Sequence, residues 1–121
     1  MSLFRRKKDR DPDPAEAGEQ AVITHLPLSE DGFGSEQERE AVHELERRIE
    51  EAVAEIGAEH DGDEFGGGEA VLYTYGPDAD ALLGAIQRSL AGFDVRPGAY
   101  AVKRYGPADD AGSREERIPL G

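Results

Sequence analysis

The residues best able to bind a metal ion are concentrated in the run 60–64, His-Asp-Gly-Asp-Glu. An imidazole and three carboxylates lie within five positions, but the run lacks the spacing, the glycine and the closing glutamate of a calcium EF loop. In a regular strand, Asp61 and Asp63 point to one face while His60 and Glu64 point to the other. We therefore expect no metal site and no cofactor, and we interpret His60, Asp61, Asp63 and Glu64 as part of a solvated hairpin arm.

Three tyrosines and a lysine form the second chemically distinctive set: Tyr73, Tyr75, Lys103 and Tyr105. Alternation along a strand places Tyr73 and Tyr75 on one face, and Lys103 and Tyr105 together on one face of a later strand. If the opposite face, which carries Leu72, packs on helices, the tyrosines line an open sheet face. We predict a protein interface there, because tyrosine rings combine an apolar body with a polar tip. The alternative interpretation is that the rings only cover their own sheet.

No other group of residues completes a catalytic signature. The glycines at 66–68 are not followed by Gly-Lys-Ser/Thr and precede a strand, which is typical of a hairpin turn and not of a phosphate-binding loop. Neither His25 nor His43 has a serine and an acid at a spacing that marks a triad. The sequence therefore favours a role without catalysis.

The charge of the chain restricts its partners. The net charge is −13, and residues 1–10 carry a net +4, so the other 111 residues carry −17. Such a body repels phosphate backbones, and RNA-recognition modules that stack bases on aromatic rings also supply a basic surface. We expect a protein partner or a homodimer, and we do not expect a nucleic acid.

Residues 1–20 are predicted to form a disordered tail, because they show no apolar periodicity. Its basic cluster of Arg5, Arg6, Lys7 and Lys8 follows only two apolar side chains, which gives at most a marginal membrane anchor, so a membrane partner is not expected. The chain has no cysteine, no long apolar run and no secretory signal pattern. The expected location is the cytoplasm.

Residues 21–121 are predicted to form a single α+β domain. Ser35 and Glu38 form a capping box, and apolar residues recur every three or four positions from Val42 to Ile56. A second helix is predicted after Asp78 or Asp80. The predicted strands span residues 21–26, 58–65, 69–75 and 99–105, and 116–120 can add an edge strand. This order is the ferredoxin-like split β-α-β arrangement, an antiparallel sheet with two helices on one face and an extra C-terminal edge strand.

Three segments resemble those of a set of short bacterial proteins to which no activity is assigned. The segments are D-G-D-E-F-G-x-G-E at 61–69, Y-G-P-D-A-D-A-L at 75–82 and Y-x-V-K-R-Y-G at 100–106. The resemblance covers about residues 20–120. It implies one folded unit and no particular activity.

These observations leave three hypotheses for the function. The first is a non-catalytic module that binds a protein or associates with itself. The second is a regulator that inhibits a basic nucleic-acid enzyme by mimicking charge. The third is a small ligand-binding domain or enzyme that uses the open sheet face together with His25 or His60.

Overall fold

The computed structural model describes residues 19–29, 32–107 and 112–121. Most of the predicted tail, including its basic cluster, lies outside these residues. The described elements follow in the order β1 Gln20–Pro27, α1 Glu36–Ala54, β2 Glu59–Gly66, β3 Glu69–Gly76, α2 Ala79–Ser89, β4 Tyr100–Arg104 and β5 Glu115–Pro119.

The five strands form one antiparallel sheet in the order β2-β3-β1-β4-β5. The first four strands and two helices give the predicted split β-α-β topology, and β5 adds the C-terminal edge strand. The fold prediction is confirmed. Strand β1 begins at Gln20, one residue before the predicted start of the domain.

The core lies between the helices and one face of the sheet. The apolar stripe of α1 is buried as its spacing predicts, and α2 packs beside it. The sheet contributes alternate residues of its strands, which is the pattern of a sheet buried on one face. The largest fully buried side chains are Leu26, Leu45, Ile49, Leu72, Leu82 and Ile86.

Local hydrogen bonds fix where each helix begins. Glu38 accepts from the backbone N–H of Ser35 while its own N–H donates to the Ser35 hydroxyl, which confirms the capping box. Asp78 caps α2 by accepting from the N–H groups of Asp80 and Ala81. The side-chain oxygen of Gln20 accepts from the N–H of Ala79 at 2.7 Å, so the first strand also helps to cap α2.

The hairpin between β2 and β3 turns at the predicted glycines, with positive φ angles at Gly67 and Gly68. Residues without a Cβ adopt these angles without steric conflict. In the described ranges, neither helix is long and apolar enough to cross a membrane.

Candidate functional site

The strand register divides the four predicted interface residues between two faces of the sheet. Tyr73 and Tyr75 lie opposite Ile23 and Ala21 of β1, on the face away from the helices. Lys103 lies opposite Val22, which is buried on the helix side. Tyr105 follows β4 and also turns to the helix side, where its hydroxyl contacts α2. Lys103 and Tyr105 do share a face, as predicted, but it is not the face of Tyr73 and Tyr75.

Tyr75 is also less accessible than the sequence indicates. Its side chain lies on the face away from the helices but is only 7% exposed. Tyr73 is half-buried, and its hydroxyl donates to Glu64 at 2.8 Å. Of the four predicted residues, Tyr73 alone is therefore both on this face and within reach of a partner.

We call the sheet face that carries Tyr73 the open face, because no described helix packs on it. Ala21 and Tyr75 at one end of this face are buried, and the apolar and aromatic side chains of its centre are half-buried: Ile23, Val71, Tyr73, Tyr100 and Val102. The register places the charged side chains of the same face at its two sides. Glu59, Glu64 and Glu69 lie on the β2–β3 side, and Arg104, Glu115 and Arg117 lie on the β4–β5 side.

At the other end of the open face, side chains stack on one another. The ring of His25 stacks on Tyr100 with a centroid distance of 4.4 Å, and the guanidinium of Arg117 lies 3.6 Å from the Tyr100 centroid. The Nδ1 atom of His25 lies 3.3 Å from a carboxylate oxygen of Glu69. These contacts hold His25 within the sheet surface.

Lys103 joins α2 to the edge of the sheet. Its ammonium group lies 2.8 Å from Asp80 and 2.9 Å from Glu116, and the Tyr105 hydroxyl lies 2.6 Å from the same Asp80 oxygen. The hydrogen bond to Asp80, followed by those to Tyr105 and Glu116, raises the pKa of Lys103 above its ordinary value. Because the exposed carboxylates of Asp80 and Glu116 both pair with the largely buried Lys103 side chain, we interpret these groups as a clamp between α2 and the sheet and not as an acid–base pair.

A β-bulge changes the direction of the side chains in β2. The register shifts between His60 and Gly62, so that Asp61 is the extra residue in the strand. His60 lies opposite Thr74 and Asp63 lies opposite Leu72, which are both buried on the helix side. The expectation that His60 and Asp63 point to opposite faces is therefore wrong, because simple alternation does not continue through a bulge.

The bulge brings two β2 side chains against two side chains of α1. We call this group, which consists of His43, Glu46, His60 and Asp63, the histidine–carboxylate cluster. His60 Nε2 lies 2.6 Å from Glu46 Oε1, and His43 Nε2 lies 3.6 Å from Asp63 Oδ2. His43, Glu46 and Asp63 each offer one ligand atom, and these three atoms lie within 4.8 Å of one another. Of the predicted run 60–64, Glu64 lies on the open face and is not part of this cluster.

Burial controls the protonation of the cluster. Burial, followed by the hydrogen bond and the charge of Asp63, raises the pKa of Glu46 to about 9. Burial also lowers the pKa of His60 below its ordinary value. A neutral His60 with its proton on Nε2 donates to Glu46 Oε1 and can accept from the Thr74 hydroxyl, 3.3 Å from Nδ1. At neutral pH the cluster therefore holds a neutral His60 and a protonated Glu46 beside Asp63.

The sequence contained one signal for this cluster. His43 and Glu46 are three residues apart on α1, so they lie on the same side of the helix. Glu46 follows Leu45, which belongs to the apolar stripe, and this position predicts that Glu46 is partly buried. The bulge that turns His60 and Asp63 towards these two residues had no sequence signal other than Gly62.

No family model, curated protein or solved structure matches this chain.

Proposed function

We propose that this chain is a non-catalytic, self-associating module and that the open face is the contact between two copies. The observation that carries the proposal is the arrangement of this face, which has an apolar and aromatic centre between a side with three glutamates and a side with two arginines and one glutamate. A contiguous apolar centre with a charged rim is the usual composition of a protein interface.

The charges of the open face favour a second copy as the partner. A two-fold axis parallel to β1 places strand β2 of one copy over strand β5 of the other. The register places Glu64 level with Pro119 of the other copy, two residues along β5 from Arg117, so the long Arg117 side chain can reach it, and the same pairing occurs a second time by symmetry. Glu59 is level with Glu115, which lies beside Arg104. An axis perpendicular to the strands would instead place the glutamates of the two copies together, which like-charge repulsion opposes.

The size of the face predicts a weak dimer. Five strands spaced about 4.8 Å apart, each about 20 Å long, give a footprint of about 500 Å² per copy. The area buried by both copies is then about 1000 Å², which is the lower limit for a specific interface. We therefore expect association that depends on protein concentration in the micromolar range.

Two single charge reversals test this arrangement. In Glu64→Arg, the new arginine faces Arg117 of the second copy, and in Arg117→Glu the new glutamate faces Glu64. Each variant alone should sediment as a monomer at concentrations where the parent chain forms a dimer. An equimolar mixture of the two variants should form a heterodimer, because both contacts then join opposite charges. Glu40→Lys, on the exposed surface of α1, is the matched control and should dimerise as the parent does.

Analytical ultracentrifugation of the parent, both variants and their mixture measures the oligomeric state of each sample. A parent chain that remains monomeric at all concentrations contradicts self-association. A parent dimer that both charge reversals leave intact shows that the contact lies elsewhere on the molecule.

A further inference from the structure

The histidine–carboxylate cluster brings the buried carboxylate of Glu46 close to that of Asp63, whose side chain is 25% exposed. Glu46 is 9% exposed, and its Oε2 atom is buried and meets no hydrogen-bond donor among the described residues. The neighbouring side chain is Asp63, one of whose carboxylate oxygens lies within 4.8 Å of a Glu46 oxygen. A buried carboxylate oxygen without a donor is costly, and a bound metal ion would supply the missing partner.

We propose that His43, Glu46 and Asp63 bind a divalent transition-metal ion of the zinc type between α1 and β2. A neutral imidazole and two carboxylates supply three ligands with a combined charge of −2, which matches the charge of the ion. This site is independent of the open face, which lies on the other side of the sheet.

The geometry is close to that of a three-ligand zinc site. Ligand atoms bonded at about 2.1 Å in a tetrahedral arrangement lie about 3.4 Å apart, and His43 Nε2 and Asp63 Oδ2 are 3.6 Å apart. The Glu46 oxygen lies within 4.8 Å of both and has to move inward slightly. The His43 side chain is 54% exposed, so the ion can enter from solvent and the fourth position is open to water.

His60 acts as a positioning residue in this site. Its Nε2 atom lies 2.6 Å from Glu46 Oε1 and shares a hydrogen bond with it, which leaves Oε2 as the oxygen that can bind the ion. Thr74 contacts the other ring nitrogen of His60 and fixes the ring orientation. Such hydrogen bonds to ligands commonly change metal affinity by about 10–100-fold when they are removed.

The ligand types indicate which ions the site prefers. An imidazole nitrogen favours Zn²⁺, Co²⁺ and Ni²⁺ over Mg²⁺ and Ca²⁺, which prefer sites made of oxygen ligands alone. The absence of cysteine from the chain leaves a nitrogen and oxygen ligand set, so we expect weaker binding than at a thiolate site.

Thermal unfolding of the tag-free, chelator-treated full chain tests the proposal. Zn²⁺ should raise the Tm saturably, and calorimetric titration should give one ion per chain, whereas equal Mg²⁺ should leave the Tm unchanged. Co²⁺ should give visible absorption bands of a low-coordinate site. No rise in Tm with Zn²⁺, or an equal rise with Mg²⁺, would overturn the proposal.

Substitutions locate the ion. Glu46→Gln and Asp63→Asn should lose the saturable response, and Glu46→Gln should fold well because it preserves shape and removes a buried acid. His25→Gln is the matched control, since His25 and Glu69 form another histidine–carboxylate contact, and this variant should respond as the parent does. A response retained in Glu46→Gln and Asp63→Asn, or lost in His25→Gln, would assign the ion to other surface groups and overturn the site.

A second pair of variants tests the role of His60. His60→Ala removes the hydrogen bond to Glu46 and should weaken zinc affinity by about 10–100-fold. His60→Gln can still donate to Glu46 and should restore part of that affinity and the Co²⁺ spectrum. Equal affinity in the two variants would contradict a positioning role for His60.

Discussion

At the scale of single residues, the chemical properties of this chain depend on Glu46. Its carboxyl belongs to the buried side of α1, where the neighbouring positions hold apolar side chains. Contact with His60 and Asp63 reduces the free-energy cost of burying this carboxyl, because the three groups can form hydrogen bonds with one another. The same residue type at an exposed position such as Glu40 has no comparable environment.

The raised pKa of Glu46 predicts how stability varies with pH. The unfolded chain ionises this group near its ordinary value of 4.5, whereas the folded chain keeps it protonated up to a pH of about 9. Between these values the folded state holds the extra proton, so the free energy of unfolding falls as the pH rises, by at most ~1.4 kcal/mol per pH unit. His60 does not contribute above its ordinary pKa of 6.5, because it is then neutral in both states.

Glu46→Gln isolates this effect because it cannot ionise. Urea unfolding of the parent and the variant in chelator, from neutral pH to a pH of about 9, gives two stability curves. We expect the parent to lose stability relative to Glu46→Gln across this range. Parallel curves would show that Glu46 is already ionised in the folded protein.

At the scale of elements, the sequence predicted regular structure well and irregular structure poorly. The capping box at Ser35 and the apolar stripe of α1 depend on neighbours a few positions away, and both were confirmed. The bulge at Asp61 depends on the pairing of β2 with β3, which no local pattern specifies. One inserted residue turned Asp63 to the same side as His60, and the run 60–64 taken alone could not show that Asp63 lies beside His43 and Glu46 of α1.

The predicted interface residues also show that sequence patterns predict local structure better than long-range pairing. Alternation correctly paired Tyr73 with Tyr75 and Lys103 with Tyr105, because each pair lies within or beside one strand. The register between strands decides which face each pair shares, and it placed Lys103 opposite Val22 on the helix side. Register depends on long-range packing, so sequence alone could not separate the two pairs.

Gly62 provides a test of the bulge as an element. Its φ angle is +144°, in a region that residues with a Cβ rarely adopt, although a Cβ added at this position would meet no atom within 4 Å. Gly62→Ala should therefore destabilise the fold by about 1–3 kcal/mol through backbone strain alone. Gly66→Ala is the control, since Gly66 has equal space and no positive φ.

Urea unfolding measures both glycine variants. The Gly62 variant should also weaken the zinc response, because the bulge positions His60 and Asp63. A neutral Gly62→Ala would mean that β2 can pair without the bulge geometry. A large loss in Gly66→Ala would show that hairpin flexibility, and not strain at Gly62, controls this strand.

At the scale of the whole molecule, the dominant property is excess negative charge. The full chain carries −13 with a sequence pI near 4.5. Compact folding brings these charges together, and their mutual repulsion reduces stability. The proposed dimer increases the repulsion further, which is why the complementary sides of the open face are needed to orient two copies.

This charge predicts that moderate salt stabilises the monomer. The screening length falls from about 30 Å at 0.01 M to about 10 Å at 0.1 M salt. Repulsion between distant acidic groups therefore weakens more than the attraction within contact pairs such as Lys103 and Asp80. Urea unfolding at low protein concentration should therefore give a free energy of unfolding that rises over this range. Glu40→Lys should raise stability at low salt by up to ~0.5 kcal/mol and reduce the salt effect, because it removes two units of negative charge at an exposed position. Stability that instead falls with added salt would show that the paired charges of the surface outweigh its net repulsion.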